Sequence, residues 1–173
     1  MSSKFISDRE IYEEVIQEMV TEARSFLWIA TADIKDMYVH KGKGMVPFLE
    51  VLSDAIEAGV LVRLLHAKEP GPNFRKDFDR YPALINNLER MLCPRVHFKS
   101  VIVDGKKAYT GSANLTGAGM GAKGINRRNF EAGIVTDDEQ MVAQIMNQFD
   151  QVWIGEHCEQ CGRKQHCMDC PIE

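Results

Sequence analysis

The chain has 173 residues, 45% of them hydrophobic and 27% charged, with a formal net charge of −4. That length suits one domain with a sizeable core, and the composition excludes a disordered chain. Nothing approaches the ~18 apolar residues of a membrane span, and Met1 to Glu10 lacks the charged-then-apolar order of a secretory signal, so a cytoplasmic protein is expected. The negative charge leaves any nucleic-acid binding to local basic patches.

Ser7-Asp8-Arg9-Glu10 has the form of a capping box, and Ile11, Val15, Met19, Val20 and Ala23 follow at helical spacing. Phe26 to Thr31 reads as a first strand, with Asp33 and Asp36 in the loop after it. Val46 to Ala58 predicts a helix closed by Gly59, Val60 to Leu65 a second strand, and Lys76 to Met91 another helix. The apolar, β-branched run Val96 to Val103 predicts a buried strand entering a hairpin at Asp104-Gly105. Phe130 to Thr136 and Asp138 to Trp153 complete the series as a strand and an amphipathic helix. Such alternation predicts an α/β fold, a mixed sheet flanked by helices with functional groups at strand ends. There is no internal repeat, and residues 1–154 are expected to form one domain with 155–173 as a separate cysteine-rich tail.

The hairpin carries the chemistry. Side chains alternate along a strand, so His97 and Lys99 share a face. A two-residue loop at Asp104-Gly105 pairs His97 with Ser112, whereas a slipped register turns it toward Asn114. A neutral histidine can attack phosphorus if fixed donors meet the charge on the phosphoryl oxygens, and Lys99, Ser112 and Asn114 are such donors. Asp104 has a backbone reason of its own to precede a turn glycine, which makes it a supporting rather than a reacting residue.

His97-x-Lys99-x4-Asp104-x6-Gly111-Ser112-x-Asn114 resembles the HKD motif of the phospholipase D superfamily at every position. Asn129-Phe130-Glu131 resembles the acidic position that follows the motif in that superfamily's small nuclease branch, and the order of elements is similar from residue 5 to about 154. The resemblance implies a phospholipase D-like fold and a covalent phosphohistidine formed on His97. A second motif's histidine would protonate the leaving oxygen and then activate water. It also implies that Glu131 orients or charge-balances an imidazole. This chain carries one motif; His66-Ala67-Lys68 with Asn73 is a poor second, since Pro70-Gly71-Pro72 breaks the strand and no Gly-Ser-x-Asn follows. One imidazole cannot attack phosphorus and protonate the departing oxygen from the opposite side. The missing group is therefore expected from a second copy, in a homodimer with the pocket on its two-fold axis. No metal is required for catalysis, because Lys99 supplies the positive charge and there is no evident carboxylate cluster of the two-metal kind.

Two loops hold basic groups suited to a polyanion's backbone: Lys41 and Lys43 in His40-Lys41-Gly42-Lys43-Gly44, and Lys123, Arg127 and Arg128 beyond the motif. In the tail, Cys158-x2-Cys161-x5-Cys167-x2-Cys170 has the density of a metal site. Structural zinc on these four thiolates is expected, with His157 and His166 as substitute ligands, and with an iron–sulfur cluster, or disulfides or no metal, as the alternatives. Cys93, beside Pro94, reads as a core thiol, while Arg163 and Lys164 are placed to touch nucleic acid. These features favour a metal-independent endonuclease. A phospholipid phosphatidyl hydrolase or transferase is the first rival, and a catalytically silent nucleic-acid-binding module the second.

Overall fold

The computed structural model describes residues 2–35 and 37–172; Asp36 lies outside the described residues. The elements are β1 (Ser3–Ser7), a helical segment α1, β2 (Phe26–Thr31), β3 (Tyr38–Lys41), β4 (Gly44–Pro47), α2 (Phe48–Glu57) and β5 (Leu61–His66). Then come α3 (Pro72–Phe78), α4 (Pro82–Asn87), β6 (Glu89–Leu92), β7 (Lys99–Val103), β8 (Lys107–Gly111), β9 (Ala132–Thr136) and α5 (Glu139–Trp153). α1 begins as an α-turn (Arg9–Ile11), widens to a π-helix (Tyr12–Glu18) and tightens to a 3₁₀ turn (Met19–Glu22).

Seven strands form one sheet in the order β1-β9-β8-β7-β2-β5-β6. β2, β5 and β6 run parallel, and β7, β8, β9 and β1 continue antiparallel from the other edge of β2. This is the mixed sheet expected from the alternation of elements. The period-two rule divides the strand residues between two cores. Leu27, Ile29, Val62, Leu64, Val101, Val103 and Tyr109 pack against the apolar faces of α1 and α2. Ala30, Leu65, Ile102 and Ala108 face the other way, onto Val142, Ile145 and Phe149 of α5. Trp28 stacks on Phe149 at 5.1 Å, and Phe149 on Trp153 at 5.6 Å. Asp138 caps α5 by accepting from the Met141 amide at 2.9 Å.

Several boundaries differ from expectation for local reasons. β2 spans the expected residues, but β1 was not anticipated: it is a short edge strand with Ile6 buried and Phe5 out in solvent, too polar to read as a core strand. Val46 belongs to β4, and Pro47, with a ψ of 139°, starts α2 late. The helix expected over Lys76 to Met91 is broken by Pro82 into α3 and α4, and Glu89–Leu92 becomes a parallel edge strand. The strand expected from Val96 starts at Lys99, and the one expected from Phe130 starts at Ala132.

Candidate active site

β7 and β8 deliver the motif to one end of the sheet. Asp104 and Gly105 have φ values of 53° and 65°, the doubly left-handed turn expected of Asp-Gly, closed by the Lys106 amide on Val103 O at 3.0 Å. Lys106 is then an extra residue, so Val103 pairs with Lys107 and Lys99 with Gly111. Neither register anticipated for His97 is formed. The imidazole lies before the strand begins, exposed, while Lys99 behind it is buried. The shared face is nonetheless real: Lys99 Nζ is 3.4 Å from His97 Nδ1 and donates to His97 O at 2.7 Å.

Across the hairpin, Ser112 Oγ donates to Glu131 Oε2 at 2.5 Å and accepts from the Ala132 amide at 3.1 Å. Asn129 Nδ2 donates to the other carboxylate oxygen at 3.0 Å. Within this chain the Glu131 carboxylate thus holds Ser112 and Asn129. Asn114 Oδ1 accepts from the Asp33 amide at 3.1 Å, which fixes its orientation and keeps Nδ2 as the donor end. Asp33 thus does more than fill a loop. Asp8, overlooked in the sequence, holds Glu131 in place: its carboxylate accepts from the Glu131 amide and its amide donates to Glu131 O, both at 2.9 Å. The motif glycine has a packing cause. A Cβ on Gly111 would lie 2.4 Å from Tyr109 Oη and 2.5 Å from Ala132 O, because the Tyr109 ring lies beneath Gly111 and Gly133. Burial pushes that tyrosine hydroxyl up to about 12.

Asp104 is not at this site. At about 3.3 Å per residue it stands roughly 17 Å away, at the far end of β7. Its carboxylate accepts from the Ser25, Phe26 and Arg24 amides at 2.7, 2.9 and 3.0 Å, tying the turn to the start of β2. Burial opposes its charge, but those three amides outweigh it and hold the carboxyl below its ordinary value. His66 is no second site either: it is fully buried, with Nδ1 2.7 Å from Lys68 O, and burial lowers its pKa.

The two basic loops separate. Lys123, Arg127 and Arg128 lie in the segment between Asn114 and Glu131, with Lys123 and Arg127 exposed. Lys41 instead pairs with Glu50 and Asp54 at 2.7 and 2.5 Å and lines a cavity with Ala23, Arg24 and Val60, at the opposite end of the sheet. The hairpin holding Lys41 and Lys43 does not border the motif.

The cysteines form a second feature beside the site. Among the described residues beyond Gly155 the only regular structure is a 3₁₀ turn, Lys164–His166. Cys158, Cys161, Cys167 and Cys170 are free thiols that ring a void of about 20 Å³, and Cys93 lines the same void. Cys93 is therefore not simply a core thiol. Among the described residues no three His, Cys, Asp or Glu side chains converge closely enough to grip an ion. His166 lies against Gln165, and His157 lines a neighbouring cavity of about 250 Å³ rather than the cysteine void. Burial, with the Cys170 thiol beside it, pushes Cys158 up to about 11, whereas the Arg163 amide and the Arg95 guanidinium lower Cys161.

The sequence profile of the family described as cardiolipin synthase, PLD-like domain, matches residues 15–153. The chain belongs to that family. No curated protein matches it in sequence. Among solved structures, this PLD-like chain is similar to Nuc from Salmonella typhimurium, a phospholipase D family member, with a TM-score of 0.63 and 16% identity over 88% of this chain and 93% of that one. NucT from Helicobacter pylori gives 0.61 and 16% over 87% and 94%. TrmBL2, an archaeal chromatin protein described as showing a novel mode of DNA binding, gives 0.60 and 17% over 88% of this chain. The PLD-like chain spans about half of TrmBL2's length, 52%, and nearly all of the other two. Among the described residues no helix is long and apolar enough to cross a membrane.

Proposed function

We propose that the protein is a phosphodiesterase that cleaves nucleic acid without a catalytic metal, through a phosphohistidine at a homodimer interface. The observation that carries this reading is the meeting of His97, Lys99, Ser112 and Asn114 at one strand end, with Glu131 fixing Ser112. His97 Nε2 forms a bond to phosphorus as the bond to the leaving oxygen breaks, and a second imidazole gives that oxygen a proton. The second imidazole then takes a proton from water as the water oxygen displaces His97 Nε2. Lys99, Ser112 and the Asn114 amide hold the phosphoryl oxygens. Attack requires a neutral ring with a lone pair on Nε2 and donation to the leaving oxygen requires a protonated ring, so two imidazoles in two protonation states satisfy both steps.

The half-site is open on one side, as a site completed by a second copy would be: His97 and Ser112 are exposed, and near them Ile125 and Phe130 are 75% and 95% exposed. An isologous pairing brings two such halves together. Lys123, Arg127 and Arg128, in the segment between Asn114 and Glu131, suit a phosphate backbone. The family description also favours a second reading, transfer or hydrolysis of a phosphatidyl group by the same residues. Labelled single- and double-stranded DNA and RNA, incubated with the protein in EDTA beside His97→Ala, decide the matter. Cutting that vanishes in the variant supports a nuclease. No cutting of any polymer, with turnover of anionic phospholipid vesicles, replaces it with the lipid reading.

A further inference from the structure

Every cysteine in the chain lies around one small void, and they come from two places far apart in sequence. Cys93 follows β6 in the PLD-like domain, while Cys158, Cys161, Cys167 and Cys170 follow α5. Beyond Gly155 none of the described residues is buried, and the least exposed side chains among them are those four cysteines and Ile172. A piece this short cannot be ordered by burial and requires a covalent or metal staple. Its side-chain ties to the domain fall on Leu92, the last residue of β6, and on the loop that leads from there to His97. Asp169 Oδ2 accepts from the Leu92 amide at 2.8 Å, Cys167 Sγ lies 3.5 Å from Leu92 O, and Arg163 donates to Pro94 O at 3.5 Å. Arg95 donates to Cys161 Sγ at 3.5 Å.

The lining also includes Arg95, Arg163 and Lys164. Three cations around neutral thiols repel one another, and the two hydrogen bonds that Arg95 and Arg163 make here bring no negative charge to offset that. Around four thiolates on a divalent ion or an iron–sulfur cluster, they offset the negative charge left over. The void of about 20 Å³ lies among all five thiols. We propose that Cys93 joins the C-terminal cysteines in one thiolate-bound metal centre, which staples this segment onto the loop that enters β7 at His97. The ligand chemistry is four thiolates drawn together by a thiophilic metal, since without the ion no three of these side chains converge closely enough to grip one. It takes one thiol from the PLD-like domain and the rest from the C-terminal segment, leaving one cysteine to spare. The inference concerns Cys93 and the centre's position, and it is independent of the substrate proposed above.

Protein purified anaerobically is analysed for zinc, iron and acid-labile sulfide, then alkylated before and after treatment with a strong chelator, with each cysteine read by mass spectrometry. The expected result is zinc at about one per chain, or iron with matching sulfide; either supports the centre and identifies its metal. Cys93 and at least three others are expected to be shielded until the metal is removed. Hydrogen exchange at the Leu92 amide should rise at the same step. Cys93→Ser should lower metal affinity by about tenfold or more; the wild-type alkylation pattern stands even if that variant folds poorly. Neither metal present or taken up, alkylation that depends on a reductant instead of the chelator, or Cys93 reactive in the loaded protein would each overturn the proposal.

Discussion

The motif end of the β7–β8 hairpin and the cysteine segment lie on either side of the loop Cys93–Phe98, and they are built in opposite ways. At the hairpin, position is set by the backbone: ladder pairing from Lys99↔Gly111 to Val103↔Lys107, a tyrosine under two glycines, and a carboxylate held from Asp8. In the cysteine segment almost nothing is set by backbone pairing, and thiols stand where apolar side chains would be. A strand-built site is specified by its own sequence before any ligand arrives. A thiol-built segment is specified by what it binds. The two should therefore fail differently: the first through a single side chain or a single added methyl group, the second through loss of an ion.

The largest effect is expected at the hairpin. His97→Ala removes the atom that bonds to phosphorus and should lower cleavage by about 10⁴-fold or more. Its elution volume on gel filtration and its unfolding curve should match wild type, because the ring is exposed and holds no part of the fold. Retained activity would end the assignment of the nucleophile. Next is Gly111→Ala. Its Cβ meets Ala132 O at 2.5 Å as well as the Tyr109 hydroxyl, so backbone must move; a loss of about 2–4 kcal/mol is expected in urea unfolding. Adding Tyr109→Phe should not restore it. Full restoration would mean that the tyrosine alone requires the glycine.

The hairpin was legible in the sequence because its chemistry is local. Lys99 follows His97 by two residues on one face, and Asp-Gly predicts its own turn. What escaped was Lys106, a single extra residue that moves the whole register while leaving the turn unchanged. Asp8 escaped because its partner, Glu131, is remote in sequence, and a residue beside a capping signal reads as part of the cap. The actual cap bond runs from the Ser7 amide to Glu10, which leaves Asp8 for the site. Cys93 escaped for the converse reason: a lone thiol beside a proline looks like core until the fold brings it to the other four. The helix expected over Lys76 to Met91 shows a different limit, since apolar positions kept a helical period across a point where Pro82 ends one helix and starts another.

Glu131→Gln tests how the hairpin site is oriented. The amide keeps one acceptor for Ser112 but loses the charge, so a fall in rate of about tenfold is expected, with substrate affinity little changed. An unchanged rate would reduce Glu131 to a surface carboxylate.

The smallest effect is at Asp104, where the motif and the fold coincide without sharing a role. If this carboxylate serves the turn and the start of β2, Asp104→Asn should leave the chemical step alone and cost about 1 kcal/mol of stability at neutral pH. The pH dependence distinguishes this from general damage. The folded carboxyl lies below its ordinary value, and in the unfolded chain it titrates near the usual ~3.9. The stabilisation is therefore whole above about pH 4. It is lost as pH falls through the folded value, when the carboxylate accepting from Arg24, Ser25 and Phe26 takes up a proton. The asparagine has no such titration, so the gap between variant and wild type in chemical denaturation should be constant from pH 7 to 5 and close below pH 4. A gap that persists unchanged into acid would mean that shape, not charge, is what Asp104 contributes at the far end of the strand.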